Sequence, residues 1–218
     1  MNITKKWLEK QNACSEGLKW FVNQKEKGVS KLVRKLQISH ISWAIWLIKR
    51  LKVRKQQIRL LETLLQDNNS EVCRSAVDAL GDIGAKEAIP AITKLLQDNS
   101  PDVRASAVDA LGQLGAKEAI PTITELLQDN APAVREAAVW ALGQLGAKEV
   151  IPQITKLLQD NNSEVRRWAV EALGKLGAKE AIPAITGLLN DPDVRASAIY
   201  ALEQLDAKEA IPAIIKLL

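Results

Sequence analysis

Prolines 90, 121, 152 and 183 stand 31 residues apart, and Pro212 follows after 29. Between them the chain rewrites one sentence. It reads DNSPDVRASAVDALGQLGAKEAIP from Asp98, DNAPAVREAAVWALGQLGAKEVIP from Asp129 and DNNSEVRRWAVEALGKLGAKEAIP from Asp160. A unit of this length is too small to bury its apolar side alone. Identical units in series must therefore cover one another, which restricts the chain to a stacked array. The short last step has a visible origin: NDP, at Asn190 to Pro192, replaces the longer turn QDNSP of the second copy. Loss inside a turn is the kind best tolerated. The first copy departs from the pattern, with Arg59 at the proline position.

Each copy reads as two helices. In the first, AIPAITKLLQ from Ala88, Ile89, Ile92, Leu95 and Leu96 recur at helical spacing, and proline sits near the start, where a missing N–H does least harm. The turn DNSP then predicts an N-cap at Ser100 with Pro101 as the first helical residue, and Asn69 and Asn162 take the same cap position. The second helix, VRASAVDALGQLG, places Val103, Ala107, Ala110, Leu111 and Leu114 on one stripe and ends at Gly115. Gly112, inside the pattern, predicts close approach by a neighbouring helix. With 47% apolar residues but only 4% aromatic ones, the core rests on Ala, Leu and Ile, which suits tightly stacked helices.

The pattern D-x-x-V-R-x-x-A-x-x-A-L-G-x-(L/I)-G, followed by A-(I/V)-P-x-(I/L)-x-x-L-L, resembles the short HEAT repeats also found in phycobilisome-lyase proteins. The resemblance covers Gln57 to Leu218, in five full copies and a terminal half copy. It implies an all-α fold: a right-handed α-solenoid of stacked antiparallel helix pairs, with residues 1–56 as a helical N-terminal cap. It also implies that the arginine after the valine, at Arg104, Arg135, Arg166 and Arg195, pairs with acids of adjacent turns to form a ladder. Cys73 interrupts that ladder and reads as a structural residue rather than a nucleophile.

Two positions escape the repeat. Three residues after the valine stand Ser75, Ser106, Ala137, Trp168 and Ser197; six after it stand Asp78, Asp109, Trp140, Glu171 and Tyr200. Positions three apart share a helix face, and this face is opposite the Leu and Ala stripe. A core position would not accept Asp, Trp, Glu and Tyr in turn. In a HEAT array the second helices line the concave wall, the surface solenoids use for partners. Trp140, Trp168 and Tyr200 therefore form a candidate protein-binding patch, edged by Asp109, Glu136, Arg167 and Glu171. The competing reading is that these rings pack flat on neighbouring copies. The wall carries more acid than base, which disfavours nucleic acid there.

Net charge is +4 and unevenly placed: residues 1–57 hold fourteen Lys and Arg against three acids, and the remainder is acidic. Trp7, Trp20, Trp43 and Trp46 lie in this basic head. Trp7, Cys14, Leu18 and Phe21 predict one helical stripe ended by Gly28, a short helix is expected after Ser30, and ISWAIWLIKRL reads as a buried helix. ACSEGLKWF and SWAIWL resemble a helical element of bacterial, particularly cyanobacterial, multidomain proteins. A cap over the array's end is the plainest role for the head. An anionic membrane surface or a nucleic acid is the alternative partner for its lysines. At the other end, Ile211, Ile214, Ile215 and Leu218 predict uncovered apolar surface and weak self-association.

Chemistry is sparse. His40 is the single histidine and Cys14 and Cys73 the only cysteines, so no catalytic triad or zinc set can be written, and no cofactor is expected. Unpaired cysteines fit a reducing cytoplasm. These features point to a non-catalytic scaffold. The resemblance adds one alternative, a phycobilin lyase or bilin-handling chaperone.

Overall fold

The computed structural model describes residues 3–22, 41–50 and 54–217, and these fall into two compact units, Met1–Ala88 and Ile89–Leu218. All regular structure among them is helical.

In the first unit, α1 (Lys5–Lys10) and α2 (Ser15–Val22) are separate helices rather than one continuous stripe. The break comes at Asn12, whose φ of 58° is left-handed, a conformation asparagine tolerates and helices do not continue through. Next come α3 (Ile41–Lys49), α4 (Arg54–Leu64) and α5 (Ser70–Asp82). The expected end at Gly28 and the helix after Ser30 lie outside the described residues. In α3, Ala44, Leu47 and Ile48 are buried, and α3 packs on both α4 and α5.

The second unit alternates short and long helices. The short ones are α6 (Ile89–Lys94), α8 (Ile120–Glu125), α10 (Ile151–Lys156), α12 (Ile182–Gly187) and α14 (Ile211–Ile215). Each is preceded by a 3₁₀ turn, and all but α14 run on into another. The long ones are α7 (Pro101–Leu114), α9 (Pro132–Leu145), α11 (Ser163–Leu176) and α13 (Arg195–Gln204). Each long helix packs on the next, building an α-solenoid. The valine, alanine and leucine stripe of every copy is buried, from Val103, Ala107 and Leu111 to Val194, Ala198 and Leu202.

Two devices set the stacking. Gly115, Gly146 and Gly177 hold φ near 70° and end their helices, with Ala116 N–H donating to Leu111 O at 3.0 Å in the Schellman pattern. The fifth copy places Asp206 there, at φ 50°. The internal glycines work differently. A Cβ on Gly112 would stand 3.0 Å from Ala141 Cβ and 3.2 Å from its Cα; on Gly143 it would stand 3.2 Å from Ala172 Cβ. Successive long helices thus touch backbone to backbone, glycine against alanine. The fifth copy has the exposed Glu203 at this position.

The turns are tied by aspartate. Oδ1 of Asp98, Asp129, Asp160 and Asp191 each accepts the N–H two residues on, at 2.8–3.0 Å. Asn69 and Asn162 cap their helices through Oδ1, but Ser100 makes no side-chain cap bond. Ala131 takes that place in the next copy, also without a side-chain cap bond.

At the end of the unit, Ile211 and Ile215 are 49% and 60% exposed, while Ile214 is half-buried.

Candidate functional site

The long helices present two edges. On one runs a ladder of ion pairs, built from the arginine that follows each valine. Arg104 donates through Nε and Nη2 to the two carboxylate oxygens of Asp129, both at 2.8 Å, and Arg135 does the same to Asp160 at 2.8 and 2.7 Å. Arg166 reaches Asp191 at 2.9 and 2.8 Å. The Nη1 group of each arginine donates to the carbonyl six residues back, at Asp98, Asp129 and Asp160. Every rung therefore joins one turn to the next and caps a carbonyl on the way. Arg195 differs from the expectation: it donates to Leu189 O at 2.7 Å, and no ion pair to it is present among the described residues. Cys73, buried in the first unit, has its thiol 3.4 Å from Leu65 O.

Two of the ladder carboxylates, Asp129 and Asp160, have their pKa values lowered. Burial works against the charge of Asp160, but the bond from Arg135, the bond from Asn162 N–H and the charges of Arg135 and Arg166 outweigh it, and the pKa lies below the ordinary carboxylate value. Asp129 is lowered in the same way, with burial opposed by Arg104 and Ala131 N–H.

The opposite edge carries the residues that vary. Two hollows open between successive long helices. One, of about 310 Å³, is lined by Asp109 and Gln113 on α7, Ala133, Glu136, Ala137 and Trp140 on α9, and Trp168 on α11. The other, of about 360 Å³, is lined by Trp140, Gly143 and Gln144, by Trp168, Glu171, Ala172 and Lys175, and by Tyr200 and Gln204 on α13. Trp140 and Trp168 belong to both. Tyr200 is 58% exposed and the two tryptophans are half-buried. The rings are not sealed between layers, although Trp140 does lean on its neighbour: a Cβ on Gly112 would meet its Cζ3 at 2.8 Å.

Arg167 lies beside the hollows rather than in them. Its guanidinium stacks over the Trp168 ring, 4.9 Å from the centroid, and bridges Glu164 and Glu171 along the same helix, with Nη1 3.3 Å from Glu171. Its pKa is raised, first by the bond to Glu164. Glu136 is pushed the other way from the ladder acids. Burial raises its pKa and the charge of Glu164 adds to this, while Arg167 and Arg135 only partly offset them.

One row of lining residues, Gln113, Gln144, Lys175 and Gln204, was not anticipated. It stands ten residues after the valine, one helical turn beyond the position of Trp140, so the same face continues through it. The near-constancy of Gln there hides it among the repeated words. Gln144 and Lys175 are hydrogen-bonded to each other across α9 and α11. Ala137, by contrast, belongs to the escaping positions yet is buried. At that step an alanine does behave as packing.

In the first unit, a cavity of about 310 Å³ is lined mainly by apolar groups, among them Ile3, Leu8, Phe21, Trp43, Trp46 and Leu47, with the free thiol of Cys14 at its side. Arg50 stacks over Trp46 at 4.2 Å, and Lys49 pairs with Asp82 at 2.5 Å. Lys25, Lys27, Lys31, Arg34, Lys35 and Lys52, on which a membrane or nucleic-acid role leans, lie outside the described residues, as does His40. No cluster of His, Cys, Asp and Glu among the described residues is placed to hold a metal, and no described helix is long and apolar enough to cross a membrane.

Solved structures share this architecture. The complex of CpcE and CpcF of phycocyanin lyase from Nostoc sp. PCC7120 matches with a TM-score of 0.60 at 25% identity, over 87% of this chain and 82% of that one. The designed armadillo repeat protein YIII(Dq)4CqI matches with a TM-score of 0.54 at 26% identity, over 82% of this chain and all of that one. No curated protein sequence matches the chain. Four overlapping matches to the HEAT repeat model cover residues 30–102, 58–142, 91–161 and 121–193, and residues 194–218 match the PBS lyase HEAT-like repeat. By that coverage, and by the stacked helix pairs themselves, the chain belongs to the HEAT-repeat family.

Proposed function

We propose that this chain is a non-catalytic scaffold that binds a protein partner through the open face of its long helices, with residues 57–218 as the repeat array and residues 1–56 as its cap. One observation carries the reading. Trp140, Trp168 and Tyr200 stand on three consecutive long helices, at the two positions that vary from copy to copy, and line two hollows that share both tryptophans. Aromatic side chains in partly desolvated hollows rimmed by polar groups are the usual anchors of protein recognition. The two free thiols suit a reducing compartment such as the cytoplasm. The test is capture from a native lysate, followed by binding to the purified captured protein. Trp140→Ala with Trp168→Ala should abolish that binding while the melting curve keeps its shape; unchanged affinity refutes the assignment.

A second reading draws on the likeness to the phycocyanin lyase complex: the same face would contact a bilin or its acceptor protein. Mixing the chain with a phycobilin and recording the visible spectrum separates the two. A shift in the bilin band that disappears in the double tryptophan variant favours the lyase-like role.

A further inference from the structure

The larger hollow, lined by α9, α11 and α13, has a one-sided hydrogen-bonding wall. Two of its acceptors are already used. Gln144 Oε1 takes the bond from Lys175, and Glu171, the one carboxylate among the lining residues, is bridged by Arg167 with Nη1 at 3.3 Å. Its donors are open. An indole N–H can only donate, and those of Trp140 and Trp168 make no hydrogen bond among the described residues. No buried side-chain nitrogen among those residues lacks a partner, so both N–H groups reach solvent. The Gln144 carboxamide, with its oxygen engaged, has its N–H groups left to give, while Gln204 and Tyr200 can act either way. We infer that this hollow receives a proline-rich, extended segment of the protein partner; the inference rests on the scaffold reading above.

Each class of segment brings a different set of groups to such a wall. An α-helix arrives with its backbone carbonyls bonded internally and offers none to the indoles. An ordinary extended strand brings one N–H for every carbonyl, and those N–H groups meet a wall with more donors than free acceptors. A proline-rich segment brings carbonyls without N–H groups, in an open helix that has no internal hydrogen bonds, and its apolar rings pack on aromatic faces. It is also stiff before it binds, so little ordering entropy is lost. The wall supplies the matching parts: rings from three consecutive long helices, Trp140, Trp168 and Tyr200, beside the carboxamides of Gln144 and Gln204. Tyr200, 58% exposed, is a ring the array itself does not bury. With Glu171 and Lys175 on the same wall, neither an acidic nor a basic segment is favoured there by charge.

The probe is a fluorescein-labelled octapeptide of proline, compared by anisotropy with a labelled octapeptide of alternating glycine and serine, which has the carbonyls but adds N–H groups and lacks rings. The full chain should bind the proline peptide and bind the control about tenfold more weakly or worse. Tyr200→Ala removes an exposed ring without opening the core and should weaken proline-peptide binding about tenfold. Trp168→Phe keeps a ring and removes the N–H, and should weaken it about fivefold. Raising salt from about 50 mM to about 500 mM should change the affinity less than about twofold, because no ion pair forms. Equal binding of both peptides, unchanged affinity in either variant, a strong loss with salt, or no binding of the proline peptide at millimolar concentration overturns the proline-rich occupant. If binding of the captured partner is still lost in the double tryptophan variant, the scaffold reading survives that failure; if it is retained, both readings fall.

Discussion

Replacing Arg135 with methionine tests the ladder at its centre. The substitution removes two charge-assisted bonds to Asp160, at 2.8 and 2.7 Å, and one to Asp129 O at 2.8 Å. Exposed ion pairs contribute up to about 1 kcal/mol, whereas stranding one partner of a buried pair costs about 3–5 kcal/mol. Here the side chains are 14% and 8% exposed, so the pair lies nearer the buried limit. Asp160 keeps its bond from Asn162 N–H, which softens the loss. The expected destabilisation is about 2–3 kcal/mol. Asp160→Asn should cost less, and the double variant should reveal a coupling of roughly 1–2 kcal/mol. The pH dependence gives an independent sign. The folded-state pKa of Asp160 is lowered, so its contribution is present above the unfolded value near 4 and fades as pH falls through the folded one. The gap between wild type and Arg135→Met should therefore narrow below about pH 4. Urea unfolding followed by far-UV circular dichroism measures both quantities, provided the m-value is unchanged, because repeat arrays can unzip from an end. A loss below about 0.5 kcal/mol, or a gap that stays constant from pH 6 to pH 2, refutes the reasoning.

Gly112→Ala should destabilise by about 1–3 kcal/mol despite a helix-propensity gain near 1 kcal/mol, because Ala141 Cα at 3.2 Å is backbone and cannot withdraw; thermal melting decides the sign. Asp206→Gly should stabilise by roughly 0.5–1 kcal/mol, since the left-handed φ of 50° strains a side chain and the carboxylate faces a helix C-terminus; a lower midpoint would contradict this. Light scattering at high concentration should show weak self-association through Ile211 and Ile215, removed by Ile215→Glu; a strict monomer counts against that proposal.

The stacked helix pairs were legible because their signals reinforce one another: prolines at first turns, glycine after last turns, and a buried stripe at helical spacing. Gly112 announced a close contact for the simple reason that only the absence of Cβ permits one. The residues at Asp109, Trp140, Glu171 and Tyr200 could be assigned an outward face because no core position tolerates such variety. What escaped notice had no local signal. Ser100 looks like a cap in every respect, yet its side chain makes no cap bond. Gln113, Gln144 and Gln204 recur from copy to copy, so no variation marks their face as open. The division of the N-terminal stripe at Asn12 turned on one backbone torsion.

Each rung of the arginine ladder reaches 25 residues forward, inside a period of 31. Remove any 31 consecutive residues between Arg104 and Asp160, and Arg104 finds Asp160 at the spacing where Asp129 used to be. The seam would be chemically indistinguishable from the junctions beside it. An ordinary globular core offers no such cut. Here the number of copies can grow or shrink with every join already satisfied, while the rings and acids along the open edge are reshuffled into new neighbours by the same event.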